Sequence, residues 1–144
     1  MEFAELLAGD FAVICRAFRP TTHVNDAPSR QLRILVVDDE EFIRAAIKLC
    51  LKSDGHSVEE ASSGEEALTI FQQGPFDLVL TDQSMTGITG AELALAIKQQ
   101  ARSCPVVMVT AYALILPPTL PGVDVILAKP FEREELREAI RKVC

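Results

Sequence analysis

From residue 32 onward, short apolar runs alternate with stretches in which apolar side chains return every three or four residues. Short apolar runs bounded by turn signals read as buried strands, and the longer period reads as helices. The first run, Arg33 to Val37, stops at Asp38-Asp39. Behind it Ile43, Ala46, Ile47, Cys50 and Leu51 share one helical face, closed by Ser53-Asp54-Gly55. Ser57 to Glu60 is a short second strand. Ser62-Ser63-Gly64-Glu65-Glu66 then offers overlapping capping boxes, Ser62 with Glu65 and Ser63 with Glu66, for a helix that ends at Gly74. A third strand begins at Phe76 and ends at Asp82. After a loop with Gly87 and Gly90, Thr89 and Glu92 make another capping box before inward-facing Leu93, Ala96 and Ile97. Pro105 to Val109 is a fourth strand, ending in Thr110-Ala111, and Val123 to Ala128 is a fifth, ending in Lys129-Pro130. The last helix, Phe131 to Val143, turns Leu136, Ala139, Ile140 and Val143 inward, and carries Glu132, Glu134 and Glu135 where the helix dipole is positive. Strand–helix alternation with short loops predicts an α/β fold, a doubly wound (βα)5 parallel sheet covered on both faces.

Residues 1–31 stand outside this alternation. Phe3, Leu6, Leu7, Phe11, Ile14 and Phe18 recur near helical spacing, Arg19-Pro20 stops them, and a polar linker with Pro28 follows. The expectation is an N-terminal extension over 1–31, either loosely attached or a short helix that packs on the domain or on a second copy, ahead of one domain over 32–144. A start assigned too far upstream is a further reading of this stretch. Its polar face carries Glu2, Glu5 and Asp10, which disfavours a membrane surface.

Composition narrows the class. The 144 residues are 49% hydrophobic, enough for one domain with a real core. A net charge of −7, with no Lys/Arg-rich stretch to offset it, argues against nucleic acid as a partner. Cys15, Cys50, Cys104 and Cys144 are widely spaced and look like unpaired thiols rather than a zinc site or disulfide frame. No apolar run approaches a membrane span and the N-terminus lacks a basic leader, so the expected compartment is the cytoplasm.

Three strand ends deliver charge: Asp38-Asp39, Asp82 and Lys129. In open α/β sheets, ligands bind outside the carboxyl ends of the strands. Two carboxylates about 4 Å apart repel by ~4 kcal/mol at an effective dielectric of about 20, so Asp38, Asp39 and Asp82 call for a cation among them. With oxygen ligands alone, a hard ion such as Mg²⁺ is favoured, with water completing its shell beside a phosphate. Lys129 supplies a point charge and Thr110 a hydroxyl for phosphoryl oxygens, and a carboxylate can itself accept a phosphoryl group as an acyl phosphate. Such transfer rests on positioning and charge neutralisation. Met85 and Phe131 read as core residues beside the site, and His23 and His56 as surface residues.

The ordered set Val36-Val37-Asp38-Asp39, Asp82-Gln83-Ser84-Met85 with Gly90, Thr110-Ala111 and Lys129-Pro130-Phe131 resembles the response-regulator receiver domain of two-component signalling, over about residues 32–144. The resemblance implies a flavodoxin- or CheY-like sheet of order 2-1-3-4-5 and phosphoryl transfer to Asp82. The donor would be a sensor histidine kinase or a histidine phosphotransfer protein. It further implies Mg²⁺ bound directly by Asp39, largely through water by Asp38, and by Asp82 and the Ser84 backbone carbonyl. Lys129 would pair with the phosphoryl group, Thr110 would move toward it, and Lys129-Pro130 would be cis. Positions 84 and 112 modulate in this family how water reaches the acyl phosphate. Tyr112 as a partial shield predicts a moderately long-lived phosphoryl state.

The chain departs from the family pattern at two informative places. Ile126 stands where an aromatic ring usually reads out phosphorylation. Between the fourth and fifth strands, Tyr112 to Gly122 contains Pro117, Pro118 and Pro121, and interior prolines cost a helix ~3 kcal/mol each. The fourth helix is therefore expected to be truncated or replaced by a loop, with Ala113-Leu114-Ile115-Leu116 either folded inward or exposed as a patch that a partner covers. Thr86, in place of the usual proline, is expected to matter little. With the last helix ending at Cys144, the expectation is a single-domain regulator acting on a downstream protein by contact or passing its phosphoryl group along a relay, with a homodimer as a further option. The alternative is a phosphorylation-independent interaction domain. A haloacid dehalogenase-type hydrolase would need an Asp-x-Asp pattern, which Asp38-Asp39-Glu40 does not supply.

Overall fold

In a computed structural model the strands form where the apolar runs end in polar residues, because a parallel sheet covered on both faces needs apolar side chains on each side. The structure describes residues 30–144; the extension expected over 1–31, apart from its last two residues, and His23 with it, lie outside the described residues. The chain runs β1 (Arg33–Val37), α1 (Glu41–Ser53), β2 (Ser57–Ala61), α2 (Gly64–Phe71), β3 (Leu78–Thr81), α3 (Gly90–Gln100), β4 (Val106–Thr110), β5 (Val125–Ala128) and α4 (Arg133–Val143). All strands pair in parallel in the order β2-β1-β3-β4-β5, as the resemblance implies.

Alternate residues of each strand feed two cores. On one face Ile34, Val36, Leu78, Leu80, Val107 and Val109 meet Ile43, Ile47 and Leu51 of α1 and Leu136 and Ile140 of α4. On the other, Leu35, Val37, Val79 and Val106 meet Ala67 and Phe71 of α2 and Leu93, Ala94 and Ile97 of α3. Each fully enclosed Leu, Ile or Val adds about 1.5–3 kcal/mol of burial, so the paired cores fix the register and hold the strand ends level. On α3 the second inward residue is Ala94, and Ala96 is only partly covered.

The helix caps differ in detail from the sequence reading. Thr89 and Glu92 do form a reciprocal box. At α2, Ser63 Oγ accepts from the Glu66 N–H, but the Glu66 carboxylate reaches back to the N–H and hydroxyl of Ser62. Glu65 is drawn instead to the Ile88 N–H, which pins the β3–α3 loop to the start of α2. No helix forms between β4 and β5: the connection is a series of turns in which the N–H groups of Ile115 and Leu116 both donate to the Tyr112 carbonyl. Of the two readings of residues 113–116, the structure shows the exposed one at Leu114 (98%) and Ile115 (79%), while Ala113 and Leu116 are half-buried.

His56 is a correction. Read as a surface residue, it is buried, and its Nδ1 accepts the Leu32 N–H at 3.1 Å. That bond needs a neutral ring with the proton on Nε2. Burial holds the imidazole below the usual histidine value of 6.5, against a smaller opposing pull from Asp54. With the folded-state pKa lowered, the contribution is complete above about pH 6.5 and is lost as pH falls through the lowered value. His56→Phe is expected to remove this acid-side slope in urea denaturation series. It should also lower stability at neutral pH by about 1–3 kcal/mol, because the Leu32 N–H loses its acceptor. An unchanged slope would remove His56 from the account.

Candidate phosphoacceptor site

Every strand points its carboxyl end the same way, so residues just past β1, β3, β4 and β5 meet at one edge. Asp38 follows β1 and is buried; its Oδ1 accepts from the Glu40 N–H at 2.9 Å and its Oδ2 faces Lys129 Nζ at 3.0 Å. Asp82 follows β3, also buried, with Oδ1 accepting from the Gln83 N–H at 2.7 Å and Oδ2 lying 3.5 Å from Lys129 Nζ. Asp39 is exposed, its Oδ2 placed 3.4 Å from the Thr86 N–H. Ligand oxygens of the three aspartates lie within 4.8 Å of one another.

The backbone around Asp82 is tightly specified. Thr81 Oγ1 donates to the Asp82 carbonyl, the Gly90 N–H donates to the Gln83 carbonyl, and the Gln83 side chain accepts the Ala91 N–H. Gly90 is required by space: a Cβ there would sit 2.0 Å from the Asp82 carbonyl oxygen, which is main chain and cannot step aside. The first residue of α3 thus lies directly against the acceptor.

Charge in this pocket is finely balanced. Burial is the largest influence on Asp38 and raises its carboxyl above the usual range, although Lys129 and the Glu40 N–H pull it down. Burial opposes the charge on Lys129 too, but Asp38 and then Asp82 outweigh it and hold the ammonium above the usual lysine range. Lys129 is therefore a fixed cation between two carboxylates. It neutralises only part of three clustered negative charges, and the oxygen-only donor set suits Mg²⁺. The fit is good: one oxygen each of Asp38 and Asp82 is fixed by a backbone N–H, which orients both carboxylates, and Asp39 opens to solvent, where water ligands can enter.

Asp38, Asp39, Asp82 and Lys129 are brought together. Thr110 sits at the end of β4 in register with Ala128, fully buried, and its Oγ1 is engaged by the Tyr112 N–H at 3.1 Å. Ser84 lies on the exposed loop two residues past Asp82. The Lys129-Pro130 peptide is cis. Phe131 is buried in the core that α1 and α4 cover, and Met85, half-buried, packs against the core on the opposite face, so both are core residues as expected. Ile126 is half-buried and pairs with Met108 in the sheet. Sequence reasoning missed Arg44, whose guanidinium donates to the Asp38 carbonyl at 2.6 Å while bridging to Glu60. An arginine on the open side of a helix carries no signal that separates this role from a solvated charge.

Known proteins place the arrangement. The family profile of the response regulator receiver domain matches residues 34–141. Chemotaxis protein CheY of Pseudomonas aeruginosa is 36% identical over 118 residues, which cover 78% of this chain and 95% of that protein. The crystal structure of response regulator TrrA from Thermotoga maritima in complex with Mg²⁺-BeF superposes with a TM-score of 0.71. It is 37% identical, over 79% of this chain and all of that one. TrrA in complex with the histidine kinase ThkA is similar at TM-score 0.71 and 36% identity, over 78% of this chain and 98% of that chain. Among the described residues, no helix is long and apolar enough to cross a membrane. A sheet edge that gathers three aspartates, two of them facing one lysine, and a profile match across nearly the whole described chain lead to one conclusion: this chain belongs to the response regulator receiver domain family.

Proposed function

We propose that Asp82 is the phosphoacceptor and that the chain takes its phosphoryl group from a histidine-phosphorylated donor, a sensor histidine kinase or a histidine phosphotransfer protein. The observation that carries this reading is Lys129 Nζ lying between Asp38 and Asp82, 3.0 and 3.5 Å away. An Asp82 Oδ2 lone pair forms the new O–P bond as the donor's P–N bond breaks, and the leaving imidazole keeps the electron pair and takes a proton from solvent. Lys129 pairs with a phosphoryl oxygen. Thr110 must exchange its Tyr112 N–H contact to turn its hydroxyl toward another. Asp39 directly, Asp38 largely through water, Asp82 and the Ser84 carbonyl would hold Mg²⁺. When bound, the ion supplies charge neutralisation for the carboxylates and the incoming phosphoryl oxygens. The chain is thus a signalling phosphoacceptor rather than an enzyme with a separate substrate.

A donor histidine has to come within bonding distance of Asp82, so its protein must close over the rim. Phe42 stands exposed on the first turn of α1 beside that rim, with Leu49 exposed two turns further along the same face, and they give such a partner an apolar foothold. The kinase complex of TrrA supports this class of partner. Downstream, the phosphorylated chain acts by contact with a protein target or passes the group on.

Tyr112, half-exposed two residues past Thr110, would shield the acyl phosphate in part. Tyr112→Ala is expected to lose its phosphoryl label several-fold faster, a change of about 1 kcal/mol in barrier. Equal decay rates for the two proteins would remove the shield.

The test of the main reading is intact-mass analysis after incubation with Mg²⁺ and acetyl phosphate, beside calorimetric titration with Mg²⁺. One added phosphoryl group, absent after EDTA, is the expected result. No adduct from either acetyl phosphate or a phosphohistidine protein, together with no Mg²⁺ binding, would overturn it and leave the phosphorylation-independent interaction domain, which Ile126 and the exposed Leu114-Ile115 favour.

A further inference from the structure

β1 delivers two consecutive carboxylates into different surroundings, Asp38 buried and Asp39 exposed. Consecutive side chains leaving a strand diverge, so bringing both to one ion depends on how the peptide between them is turned. The polar groups of Asp38 all have partners. Its N–H donates to the Ala61 carbonyl at 3.2 Å, and its carboxylate takes the Glu40 N–H and Lys129. Its carbonyl, the oxygen of the 38–39 peptide, accepts from Arg44 Nη1 at 2.6 Å. Arg44 stands one turn into α1, where its own N–H donates to the Glu40 carbonyl at 3.0 Å. One residue therefore holds Asp38 by its side chain and Glu40 by its main chain, and Asp39 lies between the two.

Ion pairing does not account for this placement. Glu60 is also within reach, but that contact is the looser one. Arg44 Nε lies 3.4 Å from Glu60 Oε1 and is enclosed without a hydrogen-bond partner among the described residues. Glu60 already has Lys48 at 2.7 Å, and the hydrogen bond from Lys48 chiefly holds its carboxyl below the ordinary range, with Arg44 a lesser influence. Charge alone would count against an arginine here, because a further cation beside carboxylates that hold Mg²⁺ repels the ion. The short, charge-assisted bond to the peptide carbonyl is what remains. We propose that Arg44 is a positioning residue for the metal site: by holding the 38–39 peptide it fixes the direction in which the Asp39 carboxylate leaves the buried Asp38, and so the spacing of the pair. This role rests on the reading of Asp38, Asp39 and Asp82 as Mg²⁺ ligands.

The test is Mg²⁺ titration of the full chain followed by NMR, without phosphodonor, on the parent, Arg44→Lys and Arg44→Met. Charge and position predict opposite orders. Lysine keeps the charge and one donor on a shorter reach, whereas methionine keeps the length and neither. A positioning role predicts affinity falling in the order parent, lysine, methionine, by at least about twofold at the first step and about tenfold overall. A role through charge alone predicts tighter binding by Arg44→Met than by the parent, and that result would overturn the proposal. So would parent-like affinity in either variant, including one whose urea midpoint has dropped, which is the mark of a merely structural role. Where Arg44→Met does not fold, Arg44→Lys against the parent decides. Glu60→Gln, which removes the ion pair and leaves the carbonyl bond, should bind within about twofold of the parent; a loss as large as that of Arg44→Met would assign the effect to Glu60 and overturn the proposal. No Mg²⁺ binding by the parent would overturn the reading of the three aspartates as ligands and the role of Arg44 with it, whereas binding by the parent and both variants alike overturns the role of Arg44 alone.

Discussion

Asp82→Ala is expected to abolish phosphoryl transfer outright, with one phosphoryl group on the parent protein and none on the variant by intact mass. The reason is geometric. Asp38 lies deeper, 2% exposed, with one oxygen held by the Glu40 N–H and the other paired closely with Lys129 at 3.0 Å. Asp39 is exposed, with no lysine to receive the phosphoryl oxygens. Asp82 is the less deeply buried of the two aspartates that face Lys129, 7% exposed, and its Oδ2 is held more loosely, 3.5 Å from the ammonium. The fold should survive, because Lys129 keeps its ion pair with Asp38 when Asp82 is removed. Asp82→Asn should behave alike, since a neutral amide has no lone pair suited to attack. An adduct that persists on Asp82→Ala would move the acceptor to another carboxylate.

The largest loss of stability is expected at Asp54, remote from the chemistry. This side chain, 5% exposed, closes α1 and accepts from the guanidinium groups of Arg133 and Arg137 on the first two turns of α4. Burial alone would raise its carboxyl. Hydrogen bonds from Arg137 and Arg133 outweigh that and hold it below the usual aspartate value of 3.8. Removing one member of a buried pair leaves the other charge uncompensated, at about 3–5 kcal/mol. The arginines are 13% and 17% exposed and Arg137 keeps Glu134, so Asp54→Ala should fall near the lower end, about 3 kcal/mol. Because the folded-state pKa is lowered, the contribution is present above about pH 4 and disappears as pH falls through the lowered value. Urea midpoints of parent and variant should therefore differ at neutral pH and converge in acid. Equal midpoints at pH near 7 would mean the ion pair adds nothing net.

The strands and the site's main residues were legible because their physics is local. A strand buried on both faces must be apolar throughout and must stop at its first charge, so Val36-Val37-Asp38 and Leu80-Thr81-Asp82 announce both the element and its end. The convergence of Asp38, Asp82 and Lys129 then follows from parallel pairing. His56 was misread because its partner, the Leu32 N–H, is 24 residues away and reaches it only through strand pairing. The Asp54 clamp spans some 80 residues and leaves no periodic trace. At residues 113–116 the prolines exclude a helix, but whether a turn faces in or out depends on the space left by α3, which no local pattern encodes.

The two borders of the sheet differ in how they guard against strand-to-strand association between molecules. β2 protects itself: Glu59 and Glu60 lie on it, held by Arg33 and Lys48, and charge on an outer strand deters stacking. β5, Val-Ile-Leu-Ala, has no charge of its own. Its guard is lent by α4, whose Glu134, Glu138, Arg141 and Lys142 line the hollow alongside it. Colloidal stability on this side is therefore a property of a helix rather than of the strand it shields. Whatever loosens α4 lifts Leu136 and Ile140 out of the core and bares an uncharged template in one step, turning dissolved protein into aggregate.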